Sequence, residues 1–160
     1  MSIEYNVLGL EEAQKMIEAA LAHVKASSLP PMAVVVADKA GKVIASARMN
    51  GVSPLHYDAA HRKAYTSAIF ERDTLGVIDF WANQERQGHR GPHDWGDRML
   101  TTLPGGFVVC FGRRGGNLST WDVVGGIGVA GNDEEKDEAA VAEAALQALG
   151  DGFRHRRDWS

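Results

Sequence analysis

The sequence predicts an α+β domain in which helices pack on a mainly antiparallel sheet. Three observations lead there: a helical stripe opens the chain, short β-branched and glycine-rich runs come in pairs, and helical patterns separate and close those pairs. Strand and helix do not alternate one for one, as a parallel sheet would require. At 160 residues and 17.3 kDa the chain suits one core. That core is expected over residues 1–150, with 151–160 as a short basic tail, either a free end or an arm that docks on another subunit.

Leu10, Ala13, Ile17, Ala20, Leu21 and Val24 recur at helical steps and predict a helix over about residues 9–27, stopped by Pro30 and Pro31. The run MAVVVA at 32–37 and the alternating VIASARM at 43–49 flank the turn residues Asp38 and Gly41 and read as a β-hairpin. A second helix is expected over about 56–72, where Ala60, Ala64, Ser67 and Ala68 make a small-residue face suited to close packing on a sheet. Val77, Ile78, Phe80 and Trp81 offer a short helical pattern, but the glycines and proline of 87–98 break it. Residues 73–100 are therefore read as a long polar loop with aromatics. Residues 107–111 and 123–129 read as strands, with a weak strand at 118–121 between them. Asn132 and Glu135 have the spacing of a capping box and predict a last helix over about 133–149, ending at Gly150.

Composition narrows the function. A formal net charge of -4 and a pI near 5.8 give no general attraction to phosphate backbones, so nucleic acid is not the expected partner. Cys110 is the only cysteine; it excludes an intrachain disulfide, and its apolar neighbours suggest an inert buried thiol. The N-terminus lacks a basic region followed by an apolar stretch, and no apolar run approaches the ~18 residues needed to span a bilayer. The expectation is a cytoplasmic protein without a membrane partner.

Two constellations carry chemistry. On the second helix Tyr57, His61 and Tyr65 are four apart and Asp58 precedes His61 by three, so one surface can present phenol, imidazole and carboxylate together. Asp58 would hold one imidazole nitrogen and leave the other as a base or metal ligand, which makes His61, Tyr65 and Asp58 the catalytic candidates. The bland reading is a solvated or interface face. His56, Lys63 and Thr66 add polar groups beside it. The second constellation, His89 and His93 with Asp94 and Asp97, has metal-like spacing, but on a loop that spacing fixes no geometry. The bland reading is a surface loop; otherwise Trp95 and Trp81 would serve as a lid or pocket wall, and Arg48, Arg113 and Arg114 are either solvated charges or carboxylate clamps.

Gly126, Gly128 and Gly131 match G-x-G-x-x-G, yet only one helix follows and no strand remains to complete a dinucleotide-binding unit. The surviving inference is that Gly128 and Gly131 let another backbone or a ligand approach closely.

Several strings then point one way. Met32 to Asp38 (MAVVVAD) followed by Gly41, the run Ala47-Arg48-Met49-Asn50-Gly51, Lys63-Ala64-Tyr65-Thr66, and VGGIGVAG at 124–131 with Asp137-Glu138 together resemble the GlcG/HbpS family of haem-binding and haem-degrading-type proteins. They are similar also to the C-terminal domain of PduO. The resemblance spans about residues 10–149 and implies an α-β2-α-β3-α domain with a five-stranded antiparallel sheet in a profilin-like or PAS-like layout. It further implies a homo-oligomer, from dimer to octamer, with a pocket or interface between the second helix and the glycine-rich strand that takes haem or another small ligand. Lys63 to Thr66 and the turn from Gly131 to Asp137 are the matching places, with Thr66 the polar candidate.

The chain departs from that pattern at His61, at Arg113-Arg114 and in the loop 81–98. Three functions follow. One is a haem or related small-cofactor binding protein, with His61, His89 or His93 offered to the iron. A second is a cofactor-independent acid/base enzyme acting on a small carboxylate or ring-derived metabolite, with Arg48 as anion clamp. The third is a purely structural or regulatory partner protein.

Overall fold

The computed structural model describes residues 7–112 and 122–154. The chain begins with α1 (Leu10–Ala26), whose Ala13, Met16, Ile17, Ala20 and Val24 are buried, while Glu11 and Glu12 sit favourably at the positive end of its dipole. The hairpin of β1 (Ala33–Asp38) and β2 (Val43–Arg48) follows. Its turn is made by Asp38, whose Oδ1 accepts from the N–H groups of Ala40 (2.9 Å) and Lys42 (3.1 Å), and by Gly41, which needs a left-handed φ of 78°.

Helix α2 (Pro54–Ile69) opens with Ser53, whose hydroxyl accepts from the His56 N–H at 3.3 Å, and with a proline at its first position, where no donor is wasted. Beyond it lies a helix where a loop was expected: α3 (Thr74–Arg86), followed by a single 3-10 turn at Pro92–Trp95. Val77 and Trp81, four apart, are its buried pair, and Gly88 at φ 88° follows its end. Two buried apolar positions carry too little periodicity to announce a helix, so packing decides it. Asp73 holds the N-cap position but spends its carboxylate elsewhere, accepting the Val108 N–H at 3.0 Å.

Strands β3 (Gly106–Phe111) and β4 (Asp122–Ala130), helix α4 (Glu135–Gln147) and the two-residue β5 (Phe153–Arg154) complete the described chain. The expected strand at 118–121 lies outside the described residues. The fifth strand that is described comes from the start of the basic tail: β5 pairs with Cys110 and Phe111, and the Phe111 and Phe153 rings meet at 5.0 Å. The capping box is absent too. Glu134 is the N-cap of α4 and makes no side-chain cap bond, while Asn132 accepts from the Glu134 N–H and donates to Asp137.

The class is thus α+β, with four long strands and a short edge strand in the order β2-β1-β4-β3-β5, every pair antiparallel. Helices α1 and α4 cover one face, where Met16, Val34, Val36, Phe107, Val109, Ile127 and Val129 form the main core. Helix α2 covers the other, over Ala33, Val35, Ala37 and Ala130. Cys110 is buried, as its neighbours suggested. No helix among the described residues is long and apolar enough to cross a membrane.

Candidate functional site

The position of α2 is set by what the sheet lacks. A Cβ on Gly128 would strike the Ala60 carbonyl oxygen and lie 2.7 Å from the Ala64 nitrogen; one on Gly126 would lie 2.6 Å from the Ser67 hydroxyl. The glycines of β4 and the small residues of α2 bring the two backbones together, so the space over Gly128 is filled by this helix. Gly131 is also closely approached, by the chain before β1: a Cβ there would lie 2.6 Å from the Pro31 carbonyl oxygen. The close approach read from these glycines is one of backbone to backbone.

Lys63 points to the sheet side of α2 and is buried at 4% exposure, as is Glu138 of α4 at 3%. The Lys63 ammonium donates to the Val129 carbonyl at 2.8 Å and to both Glu138 oxygens at 3.2 and 3.3 Å. Burial drives each group toward neutrality, lowering the lysine and raising the carboxyl, and their mutual attraction opposes both shifts. Lys63 is therefore committed inside the protein.

Tyr57, His61 and Tyr65 run along the flank of α2 that faces the hairpin. Tyr57 shares a 2.8 Å hydrogen bond with Ser46 of β2, and the Tyr65 ring lies beside Gly41, where a Cβ would collide with it. His61 sits one turn from each, half-buried, with no hydrogen-bond or ion-pair partner among the described residues. Asp58 is exposed, and no hydrogen bond joins it to His61. Tyr65 turns elsewhere: its hydroxyl donates to Asp97 Oδ2 at 2.6 Å, and that bond, with burial and the adjacent charge, holds the phenol above its ordinary pKa. The expected group of His61, Tyr65 and Asp58 is not assembled.

Arg48 pairs across strands with Ala33, and Ser46 with Val35. Directly opposed residues share a face, so Arg48 and Ser46 lie on the α2 side of the sheet, with Arg48 exposed at the end of edge strand β2. His56, at the first turn of α2, bonds the Ser53 hydroxyl at 3.0 Å and lies 3.9 Å from Asp133.

The segment 92–101 crosses the outer side of α2 and is fastened there twice. Asp97 takes the Tyr65 hydroxyl, and the buried Thr66 hydroxyl accepts the Thr101 N–H at 3.0 Å while donating to the Met99 carbonyl at 3.4 Å. Trp95 is 59% exposed yet joins an aromatic cluster, its ring centroid 5.4 Å from that of Phe70 and 5.5 Å from that of Trp81, which it meets edge to face. His89 is exposed without a described partner, and the His93 side chain lies outside what is described. Among the described residues no group of three or more His, Cys, Asp or Glu is arranged to hold a metal ion.

Sequence reasoning missed the partners rather than the residues. Glu138 lies in the apolar stripe of α4 with Val141, Ala142 and Ala145, and Lys63 lies among the small residues of α2. A charge in each of two buried stripes was the available signal that they meet. Asp97 was read beside the loop histidines, and nothing in its spacing pointed to Tyr65, 32 residues away.

Comparison with known proteins agrees with this architecture. No curated protein matches the sequence. Among solved structures, Streptomyces reticuli HbpS, as a double mutant, superposes with a TM-score of 0.72 at 26% identity over 94% of this chain and 92% of that one. Klebsiella pneumoniae ORFY gives 0.74 at 19% identity, over 92% and 94% of the two chains. The complex of PduOC with haem gives 0.71 at 19%, over 91% and 96%. The last two, at that identity, speak for the fold alone. A family model described as haem degrading protein HbpS-like matches residues 8–147, so nearly the whole chain belongs to the HbpS-like family.

Proposed function

We propose that the protein is a homo-oligomeric binder of haem or a closely related planar cofactor. The observation that carries this reading is the family match across residues 8–147, joined by the likeness in fold to a protein solved with haem bound. The residues present fit such a group. His61 is a half-buried imidazole that no described group engages, flanked by the aromatic side chains of Tyr57 and Tyr65. It would hold the iron, and Arg48, on the same side of the sheet, would face a propionate. When bound, haem would supply iron-centred redox chemistry. The outer backbone of β2 has no partner strand among the described residues, which leaves an edge on which a second copy can dock.

The test is a haem titration of purified protein followed by absorbance, with His61→Ala, His89→Ala and His93→Ala alongside. The expected outcome is a saturable Soret change at about one haem per subunit, abolished in His61→Ala and kept in the other two. Nonsaturating uptake that is indifferent to all three substitutions overturns the reading.

A further inference from the structure

A surface cavity on the outer side of α2 adjoins the Tyr65 end of the His61 flank, to which Asp97 ties it. Arg62, Pro92, Gly96, Asp97, Arg98 and Leu100 surround its volume of about 400 Å³. That size is within the range of small-molecule sites. Its electrostatics follow from which charges are already answered. Asp97 is committed at both oxygens, Oδ2 to the Tyr65 hydroxyl at 2.6 Å and Oδ1 to the Met99 N–H at 2.9 Å. Arg90, nearby in sequence, lies 3.7 Å from Asp94. Arg62 and Arg98 have neither a hydrogen bond nor an ion pair among the described residues. The cavity is thus lined by two arginines without a described partner, Arg62 from the helix and Arg98 from the segment pinned across it, together with Pro92 and Leu100.

We propose that this cavity binds a small organic dicarboxylate. A guanidinium offers paired, coplanar donors that match a carboxylate edge to edge, and two of them select two carboxylates over a single compact charge. Pro92 and Leu100 suit a short hydrocarbon span between the acid groups. The Tyr65–Asp97 bond acts here as a positioning contact: it holds the segment that carries Arg98 against the helix that carries Arg62. The site does not depend on haem, and no residue offered to the iron or to a propionate lines it.

Calorimetric titration of the haem-free protein with succinate, butyrate and inorganic phosphate tests this. Succinate is expected to bind saturably and more tightly than the other two. Arg62→Gln and Arg98→Gln are each expected to weaken it about tenfold. Arg62→Lys, which keeps the charge and loses the fork, should fall between the wild type and Arg62→Gln, while Lys15→Gln on α1 should leave binding unchanged. Absence of saturable succinate binding overturns the proposal. So does phosphate binding as tight as succinate, which would mean that charge alone is read, and so does succinate binding that both glutamine variants retain.

Discussion

Tyr65 shows how one side chain can be read wrongly from spacing and rightly from contact. Four residues after His61, it belongs by position to an acid/base group, but its proton is held by Asp97 at 2.6 Å. The hydrogen bond to that carboxylate is the largest influence raising the phenol above its ordinary value of 10.0, with burial and the carboxylate charge behind it. The folded state therefore holds this proton more tightly than the unfolded state. Its contribution to stability is complete below the ordinary value and is lost as pH rises through the higher folded value. In an alkaline titration followed by tyrosinate absorbance, one of the three tyrosines should ionise late. Asp97→Ala should return it to the range of an ordinary tyrosine. If the profile of Asp97→Ala overlays that of the wild type, the bond is not made in solution.

At the scale of elements, α2 and β4 are the pair whose contact depends most on residue size. Ala60, Ala64 and Ser67 meet Gly126 and Gly128 with no room for a Cβ. Gly128→Ala should destabilise the fold by about 3 kcal/mol or more, because the added methyl meets main-chain atoms that cannot rotate away. Chemical denaturation measures this; a loss under about 0.5 kcal/mol, the range of an ordinary surface change, would mean that α2 sits farther from the sheet. This contact was legible in the sequence, since a run of small residues on a helix and glycines within a strand each announce a close neighbour. The hairpin and α1 were legible from a β-branched, alternating pattern and a six-residue helical stripe, whereas α4 was announced by a capping box that the structure does not form. What was not legible was set by long-range packing. Helix α3 shows only Val77 and Trp81 as its buried apolar pair, with Thr74 beside them. The site suffered likewise: His61 could be named as a candidate, but spacing could not show that Asp58 stays in solvent while Asp97 reaches Tyr65.

At the scale of the molecule, the layers on opposite faces of the sheet are joined by a buried contact, Lys63 of α2 with Glu138 of α4, closed by the Val129 carbonyl of the strand between them. Gly105 permits it, since a Cβ there would lie 2.9 Å from Glu138 Oε1 and 3.0 Å from the lysine nitrogen. Desolvating two charges offsets much of their attraction, so the pair's net contribution to stability is small, whereas either member left alone is a buried charge without its partner. Lys63→Met and Glu138→Leu should each lower the unfolding free energy by about 3 to 5 kcal/mol, and the double substitution should recover most of that loss by replacing the pair with apolar contact. Urea denaturation of the four proteins closes the cycle. Two mild single variants would mean that water reaches the pair. A double variant as unstable as the sum of the singles would mean that the lysine and the carboxylate act separately, each holding its own layer, rather than as the fastening between them.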